Sequence, residues 1–325
     1  MRILVFGGAG FVGLNIAAAL LAHGHSVTLF DRTGLPPEAQ REFASHGDRL
    51  TAVPGDVRDG RAVEAVIANG YDVLVLGAAI TAGPEREASD PGSILQVNLL
   101  AQTPILIAAR RSGVRRIINL SSAAAYGASA FRNVLLDEET PCDPASLYAI
   151  TKFASEKVAA RLAGLWQCEI ISVRLSAVFG PRERSNDVRD TPSPQAQILA
   201  AMQQGYQAVL SRPGVRDWIY AVDVAEAVTL LIEAAKPQQQ LYNISTGVEW
   251  SALQWGQELA ALHPGFACRL ADAGELATVD LHSPVDRAPL SVARMAEEFG
   301  WRARFGCTDS AADLSRWWTE HRGGT

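Results

Sequence analysis

The chain has 325 residues, of which 48% are hydrophobic and 20% charged, and its formal net charge is −6. This composition indicates a folded globular protein, and the negative charge without a Lys/Arg cluster argues against a nucleic-acid partner. No stretch approaches the roughly 20 uninterrupted apolar residues of a membrane helix, so we expect a cytoplasmic protein that does not associate with membranes.

The first motif occupies residues 2–13, which read Arg-Ile-Leu-Val-Phe-Gly-Gly-Ala-Gly-Phe-Val-Gly. The apolar run Ile3–Phe6 predicts a buried strand, and the apolar-periodic segment Phe11–Leu21 predicts a helix after the glycines. Because the apolar run is already a strand, we do not expect a signal peptide. A strand, a glycine turn and a helix in this order are typical of a dinucleotide-binding unit.

Each glycine of this motif has a predicted task. Gly7 allows the tight turn after the strand, Gly10 lets the backbone approach a pyrophosphate, and Gly13 lets the helix lie close to the sheet. The opening amides of the helix, at Phe11 and Val12, add positive potential for the phosphates without any basic side chain. We therefore predict that all five residues bind the cofactor.

A second strand is predicted at Ser26–Phe30, and Asp31 follows it. An acidic residue about 20 positions beyond the glycines is where a ribose 2′-hydroxyl binds, and it repels a 2′-phosphate. We therefore expect NAD as the cofactor and place Asp31 and Arg32 in its site. Arg32 is the feature that weighs towards NADP.

Asp56 and Val57 follow the next predicted strand, Leu50–Val53. Open α/β sheets bind ligands at the carboxyl ends of their strands, so Asp56 is predicted to bond an adenine amino group. The alternative is that it caps the helix predicted at Asp59–Ala68, a role for which Asp59 is better placed.

The run Val73–Leu76 is continuously apolar, as is typical of a buried parallel strand. It leads into Ala78 and Ala79, small residues that let a cofactor lie against the backbone. A long helix from about residue 93 to 111 follows and carries Asn98.

The strand predicted at Arg116–Leu120 delivers Ser122 to the same edge of the sheet. Strands that alternate with helices in this way predict a Rossmann-type, doubly wound parallel sheet with helices on both faces. We assign residues 1–175 to this cofactor-binding domain, with 217–245 packing back onto it. Residues 176–216 and 246–325 are assigned to a smaller α/β substrate-binding portion.

Tyr148 and Lys152 lie four residues apart in a predicted helix, Ala145–Ala163, so the phenol and the ammonium share a face. A free tyrosine has a pKa of about 10, but a neighbouring cation and an oxidised nicotinamide favour the phenolate. We predict that Tyr148 is the general base, that Lys152 supports it and reaches the cofactor ribose, and that Ser122 bonds the substrate oxygen. A surface pair is the alternative for this spacing.

Six motifs, in order along nearly the whole chain, resemble the extended short-chain dehydrogenase/reductases of the NAD-dependent epimerase/dehydratase type. They are Gly-Gly-Ala-Gly-Phe-Val-Gly at 7–13, Gly-Asp-Val-Arg-Asp at 55–59, Ser-Ser-Ala-Ala-Ala-Tyr-Gly at 121–127, Tyr-Ala-Ile-Thr-Lys at 148–152, Arg-Leu-Ser-Ala-Val-Phe-Gly-Pro at 174–181 and Arg-Asp-Trp-Ile-Tyr-Ala-Val-Asp-Val-Ala at 216–225. The resemblance implies a catalytic triad of Ser122, Tyr148 and Lys152. It also implies cofactor contacts by Asp31, Asp56, Ala78, Ala79 and Asn98, and a homodimer formed through the helices near 93–111 and 145–163.

Two departures from the family pattern narrow the chemistry. The 4,6-dehydratase branch carries Asp-Glu where this chain has Ala123 and Ala124, and methyl groups cannot transfer protons, so dehydration by that route is not expected. The asparagine that usually helps to hold the phosphates of a nucleotide sugar is Ala177 here, which weighs against a nucleotide-sugar substrate.

Arginines on the substrate side are candidates for binding an anionic group, because a guanidinium clasps a phosphate or carboxylate with two bonds. Arg182, Arg184 and Arg216 are the main ones, and Arg287 is a weaker one. Ordinary ion pairing is the alternative for Arg182 and Arg184, whereas Arg216 matches a phosphate-binding arginine of the family. The residues that we predict to bind the substrate are Thr81, Ser122, Arg182 and Arg216.

The remaining substrate-side predictions are structural. We expect a helix at Val224–Ala235 capped by Asp223, and another at Ser291–Phe299. No metal site is expected, because the four cysteines are far apart and His23 and His25 suit a helix end better than a metal pair.

Two outcomes share the predicted site residues. An epimerase keeps the reduced cofactor and returns hydride to the other face of the keto sugar, whereas a dehydrogenase releases both products. The family favours epimerisation, and Ala177 favours oxidation of a small sugar, sugar acid or lactone. A non-catalytic dinucleotide sensor is the remaining alternative, and the intact triad argues against it.

Overall fold

The computed structural model describes residues 1–184 and 187–322 and confirms the doubly wound α/β fold. Its central sheet has seven strands in the order β11-β6-β5-β4-β1-β2-β3, and every pair is parallel. The strands of the chain are β1 Arg2–Phe6, β2 Ser26–Asp31, β3 Leu50–Pro54, β4 Val73–Leu76, β5 Arg116–Ser122, β6 Glu169–Leu175, β7 Val178–Phe179, β8 Ala208–Leu210, β9 Val215–Arg216, β10 Ile219–Tyr220, β11 Leu241–Ile244, β12 Trp250–Ser251 and β13 Cys268–Leu270. Strand order reverses between β1 and β4, and such a reversal is where open sheets bind ligands.

Helices cover both faces of this sheet and build the substrate side. They are α1 Phe11–Ala22, α2 Pro37–Phe43, α3 Gly60–Ile67, α4 Pro84–Ser89, α5 Pro91–Leu95, α6 Gln102–Arg111, α7 Leu147–Trp166, α8 Pro194–Gln203, α9 Ala221–Glu233, α10 Ala252–Leu262, α11 Ala293–Phe299 and α12 Cys307–Arg322. A π-helical segment, Gln96–Leu100, joins α5 to α6, so the long helix predicted at 93–111 is present with a change of hydrogen-bond period in its middle. Such π segments are frequent at functional sites.

Three apolar cores organise the molecule. One packs α1 and α9 against one face of the central sheet, and a second packs α3, α6 and α7 against the other face. A third core, rich in aromatic side chains, lies between α8, α10 and α12. The third core is separate from the other two, as a separate substrate-binding portion requires. The boundaries of that portion stay a prediction.

The prediction that Asp223 caps a helix beginning at Val224 is wrong. Helix α9 begins at Ala221, and the Asp223 carboxylate instead accepts hydrogen bonds from the backbone N–H groups of Arg304 and Phe305, each at 3.0 Å. The carboxylate therefore fixes the segment that leads into α12. Asp59, in contrast, is the N-cap of α3 as predicted, since its side chain accepts from the amides of Arg61 and Ala62.

One helix, Pro91–Arg111, is long and apolar enough to cross a membrane by length and composition. It contacts α3 and α7 in the second core, and 44% of its most apolar window is buried. This packing is typical of a core helix in a globular protein, and such helices can also be long and apolar enough to cross a membrane.

Candidate active site

The turn after β1 has no room for side chains. Gly7 has φ +74°, and a Cβ atom there would lie 2.6 Å from the backbone nitrogen of Ala78. A Cβ on Gly13 would lie 2.4 Å from the Gly7 carbonyl oxygen, whereas on Gly10 it would lie 3.2 Å from that oxygen. Gly7 and Gly13 thus hold β1, β4 and α1 at a separation that only glycine permits.

A cavity of about 500 Å³ opens at this turn, along the carboxyl ends of the strands. The predicted cofactor residues that line it are Gly7, Gly10, Asp31, Arg32, Asp56, Val57, Ala78 and Ala79. Phe11, Val12 and Gly13 begin α1 immediately behind it, and α1 has no side-chain cap, so its first amides remain available for an anion. A glycine floor, an acidic residue after β2 and an open helix N-terminus fit the adenosine and pyrophosphate of a dinucleotide.

The Asp31 carboxylate is held in place at the end of β2. Its Oδ2 accepts from the backbone N–H of Ala9 at 3.0 Å, and its Oδ1 accepts from the N–H and hydroxyl of Thr33. Arg32 pairs with Asp187, a partner more than 150 positions further along the chain. This pairing neutralises the cation that weighed towards NADP.

Asp56 also keeps its charge inside the cavity. The Arg58 guanidinium bonds both of its carboxylate oxygens, with Nη2 at 2.6 Å from Oδ2, and these bonds hold the pKa of Asp56 below its usual range. The carboxylate is therefore available only as a hydrogen-bond acceptor, which is what an amino group requires.

Asn98 lies on the predicted helix and is hydrogen-bonded within the protein. It is fully buried, its Oδ1 accepts from the backbone N–H of Ile80 at 2.7 Å, and its Nδ2 donates to the Ile80 carbonyl and to Thr151 Oγ1. Both amide hydrogens are used in this way, and the expected cofactor contact stays a prediction. Asn98 ties the segment after β4 to α7.

The structure brings Ser122, Tyr148 and Lys152 together, and it adds Thr81. The hydroxyls of Ser122 and Thr81 are hydrogen-bonding neighbours of the Tyr148 phenol. The Lys152 ammonium lies 5.7 Å from the centroid of the Tyr148 ring and donates to the Leu120 carbonyl at 2.8 Å. Helix α7 begins at Leu147, with the Ser146 hydroxyl accepting from the Ala149 amide, so Tyr148 stands in its first turn.

Burial moves the pKa values of the pair in opposite directions. Desolvation raises the pKa of Tyr148, and hydrogen bonding from Ser122, the charge of Arg189 and hydrogen bonding from Thr81 oppose that rise. Desolvation lowers the pKa of Lys152 to about 8, and the Glu156 carboxylate opposes that fall. Lys152 is still mainly protonated at neutral pH, but only by a small margin.

A cross-over segment, residues 183–184 and 187–190, covers the cavity from the substrate side and was not anticipated from sequence. The Thr81 N–H donates to the Val188 carbonyl at 2.7 Å, and Arg86 pairs with Asp190 at 2.6 Å. Arg184 lines the cavity and donates to the Ala9 carbonyl at 2.8 Å. Ile80 lines this cavity, and Tyr148 is not among its lining residues.

Arg182 is committed to a structural ion pair. Its guanidinium pairs with Glu42, and its Nη1 donates to Asn15 Oδ1 at 2.7 Å, so it joins α1 to α2. The prediction that it binds substrate has no support from these contacts, and the ion-pairing alternative accounts for them.

Arg216 contrasts with Arg182. Within residues 1–184 and 187–322 it has no carboxylate partner, and its buried Nε has no hydrogen-bond partner. Its guanidinium stacks over Trp218 at 5.3 Å, while burial and the nearby Arg287 lower its pKa to about 10. Arg287 itself is paired with Asp217 at 2.8 Å. Arg216 is therefore a half-buried cation that makes no direct carboxylate contact in the described residues, although the charges of Asp217 and Asp286 act on it.

Comparisons with known proteins agree with this geometry. The model of the NAD dependent epimerase/dehydratase family matches residues 3–245. UDP-glucose 4-epimerase of Mycolicibacterium smegmatis is 26% identical over 96% of each chain, and dTDP-glucose 4,6-dehydratase of an Actinoplanes species is 26% identical over 99% of each. The structure of MoeE5 in complex with UDP-glucose and NAD has a TM-score of 0.78 and 24% identity, covering 98% of this chain and 99% of that one, and shows the same fold.

Proposed function

Because the chain belongs to the NAD dependent epimerase/dehydratase family and is an NAD-dependent enzyme, we propose that it epimerises a secondary alcohol of a nucleotide sugar. The observation that carries this proposal is the cluster of Ser122, Tyr148 and Lys152 at the carboxyl end of β5. Bound NAD supplies the chemistry of hydride acceptance and return.

The protein's own groups handle the proton. Tyr148, as the phenolate, accepts the proton of the substrate hydroxyl, and Ser122 donates a hydrogen bond to the same oxygen. The Lys152 ammonium favours the phenolate by its charge. The phenol later returns the proton, so the enzyme ends in the state in which it began.

The same arrangement argues against dehydration. Ala123 and Ala124 follow Ser122 on a 3₁₀ turn, and neither side chain can donate or accept a proton. Although dehydratases are among the relatives, loss of water at a neighbouring carbon needs an acid and a base that these positions do not supply.

Arg216 supports an anionic substrate, because its guanidinium makes no carboxylate contact in the described residues and its buried Nε has no hydrogen-bond partner there. A diphosphate, as in the UDP-glucose and dTDP-glucose of the named relatives, provides that charge. Ala177 supports the second candidate, an NAD-dependent dehydrogenase of a small sugar, sugar acid or lactone, because it lacks the amide that usually contacts the phosphates. A non-catalytic sensor is less favoured, since it does not need Tyr148 or Lys152.

Incubation with NAD and a panel of nucleotide sugars, sugars and sugar acids tests the proposal. We expect an isomerised nucleotide sugar without free NADH, measured by chromatography and by absorbance at 340 nm. Accumulation of free NADH with a small sugar would establish the dehydrogenase instead. A panel in which no compound is converted, although NAD binds, would favour the sensor.

We also propose a homodimer formed through the helix Pro91–Arg111 and α7. Leu100, Ile107 and Ile150 on these helices are 61%, 38% and 39% exposed, an apolar surface that a second copy would cover. Light scattering should give twice the chain mass, and a monomer at micromolar concentration would contradict this assignment.

A further inference from the structure

Helix α7 carries a buried carboxylate that the proposed mechanism does not use. Glu156 lies one turn beyond Lys152, on the same face of the helix, and is 4% exposed. Tyr148, Lys152 and Glu156 thus occupy successive turns. A charged side chain is rarely buried without a partner, so the surroundings of Glu156 require an account.

Three consecutive residues at the end of β5 each contact one of these three helix residues. The Leu120 carbonyl accepts from Lys152 Nζ at 2.8 Å, and the Ser121 hydroxyl donates to Glu156 Oε1 at 2.5 Å. The Ser122 hydroxyl is the neighbour of the Tyr148 phenol. These three contacts, together with the bond from Asn119 to Ser155, join strand β5 to helix α7. The contact of Glu156 lies next to those made by the reacting groups.

Arg174 on β6 completes the surroundings of Glu156. Its Nε and Nη2 donate to the carboxylate at 3.0 and 2.7 Å, and the pair is buried, with exposures of 1% and 4%. The guanidinium also lies 4.4 Å from the Tyr126 ring centroid, and its buried Nη1 has no hydrogen-bond partner in the described chain. The positive charge of Arg174 thus lies directly against the negative charge of Glu156.

The charged and titratable groups around Lys152 are few. Tyr148 and Glu156 lie on its own helix. Arg174 on β6 pairs with Glu156 and lies over the Tyr126 ring, Cys142 in the loop before α7 is influenced by Arg174 and Glu156, and Arg189 of the cross-over segment acts on Tyr148. Strand β5 contributes only a carbonyl and hydroxyls. Glu156 is the carboxylate that acts on Lys152 within this set.

We propose that Glu156, fixed by Ser121 and offset by Arg174, is a positioning residue that sets the charge of Lys152 and thereby the basicity of Tyr148. The inference rests on the proposed function in that Lys152 supports the phenolate. Glu156 attracts a proton to Lys152 against the cost of burial. Arg174 limits that attraction, so Lys152 keeps its proton at neutral pH and loses it in mildly alkaline solution.

Opposite substitutions have opposite expected effects. Glu156→Gln removes the attracting charge and leaves Arg174 without its counter-ion, and both changes make protonation of Lys152 harder. Arg174→Met keeps the length of the side chain but removes the offsetting charge, so the Glu156 carboxylate attracts the Lys152 proton more strongly. Ser121→Ala removes one hydrogen bond to Glu156 without altering any charge, so it should move the Lys152 midpoint less than either charge variant does.

The chain allows a direct measurement, because it contains only three lysines, Lys152, Lys157 and Lys236. Protein labelled with ¹³C-lysine and saturated with NAD is titrated by NMR, and Lys152→Met assigns the Lys152 signal. We expect a Lys152 midpoint of about 8 in the wild type. The midpoint should fall by about one pH unit in Glu156→Gln, rise by about one unit in Arg174→Met and move little in Ser121→Ala.

Shifts of opposite sign separate control of charge from general loosening of the fold, which would move Lys152 in the same direction in both variants. Circular dichroism and NAD binding identify a variant that does not fold. In that case the other charge variant and Glu156→Asp test the proposal. Glu156→Asp should keep the wild-type midpoint of Lys152. An unchanged midpoint, or shifts of one sign, would overturn the proposal. If the midpoint responds as expected but Lys152→Met turns over substrate normally, the proposed function fails while the inference about Glu156 stands.

Discussion

The arginines of the cofactor cavity and of the substrate side differ in their partners. Three arginines that line the cavity, Arg32, Arg58 and Arg86, are each paired with an aspartate, and a fourth, Arg184, donates to the Ala9 carbonyl. Arg216 on the substrate side has no such partner within the described chain. A dinucleotide pyrophosphate is held by backbone amides, so its site does not need unpaired cations. We propose that Arg216 binds an anionic group of the substrate.

The largest expected effect lies at Tyr148, where the two regions meet. Tyr148→Phe removes the hydroxyl that transfers the proton but leaves the ring, so turnover should fall by about 10²–10⁴-fold while NAD affinity stays nearly unchanged. Steady-state kinetics and calorimetric titration with NAD measure the two quantities. An equal loss of both would mean that Tyr148 serves cofactor binding instead of chemistry.

On the cofactor side, Gly13→Ala should destabilise the protein by about 1–3 kcal/mol and weaken NAD binding, because the added methyl overlaps the Gly7 carbonyl. Gly10→Ala is the matched comparison, since its methyl meets that oxygen at a longer distance. Thermal unfolding should show a clearly larger loss for Gly13→Ala. If Gly10→Ala lowered the stability as much as Gly13→Ala, the close approach of α1 to the turn would not be the cause of the loss.

On the substrate side, Arg216→Gln should raise KM for an anionic substrate by about tenfold or more and leave NAD affinity unchanged, since a charge-assisted hydrogen bond contributes about 1.5–3 kcal/mol. Arg182→Gln should lower the melting temperature without this change in KM, because Arg182 is occupied by Glu42 and Asn15. If Arg182→Gln raised KM and Arg216→Gln did not, Arg182 and not Arg216 would be the arginine that binds the substrate.

The smallest effect concerns pH. Because the pKa of Lys152 is about 8, its charge is present below that pH and is lost above it. The phenolate then loses its neighbouring cation, so kcat should decline through pH 8 and be about tenfold lower near pH 9. A rate that continues to rise to pH 10 would show that Lys152 has no electrostatic role.

Short-range patterns identified much of this molecule. The glycine turn, Asp31 and the Tyr148/Lys152 pair were predictable because each lies at a strand end or on one helix face, where sequence spacing determines geometry. Arg182 and Asp223 were not, because their partners, Glu42 and the amides of Arg304 and Phe305, are about 80 to 140 positions away.

Asn98 and the cross-over segment show the same limit. Asn98 was placed correctly along the chain, but only the fold shows that its amide is used by Ile80 and Thr151. The contact between Thr81 and Val188 joins segments with no shared motif. Strands β6 and β11 complete the sheet, and neither was predicted from the sequence.

We propose that Tyr148 acts as the base for oxidation of a bound substrate by NAD. The most direct test is a single-turnover mixture of NAD-saturated protein and nucleotide sugar, followed at 340 nm in the wild type and in Tyr148→Phe. We predict that a transient absorbance of protein-bound NADH forms in the wild type and is absent in the variant. Equal absorbance in both proteins would contradict the account.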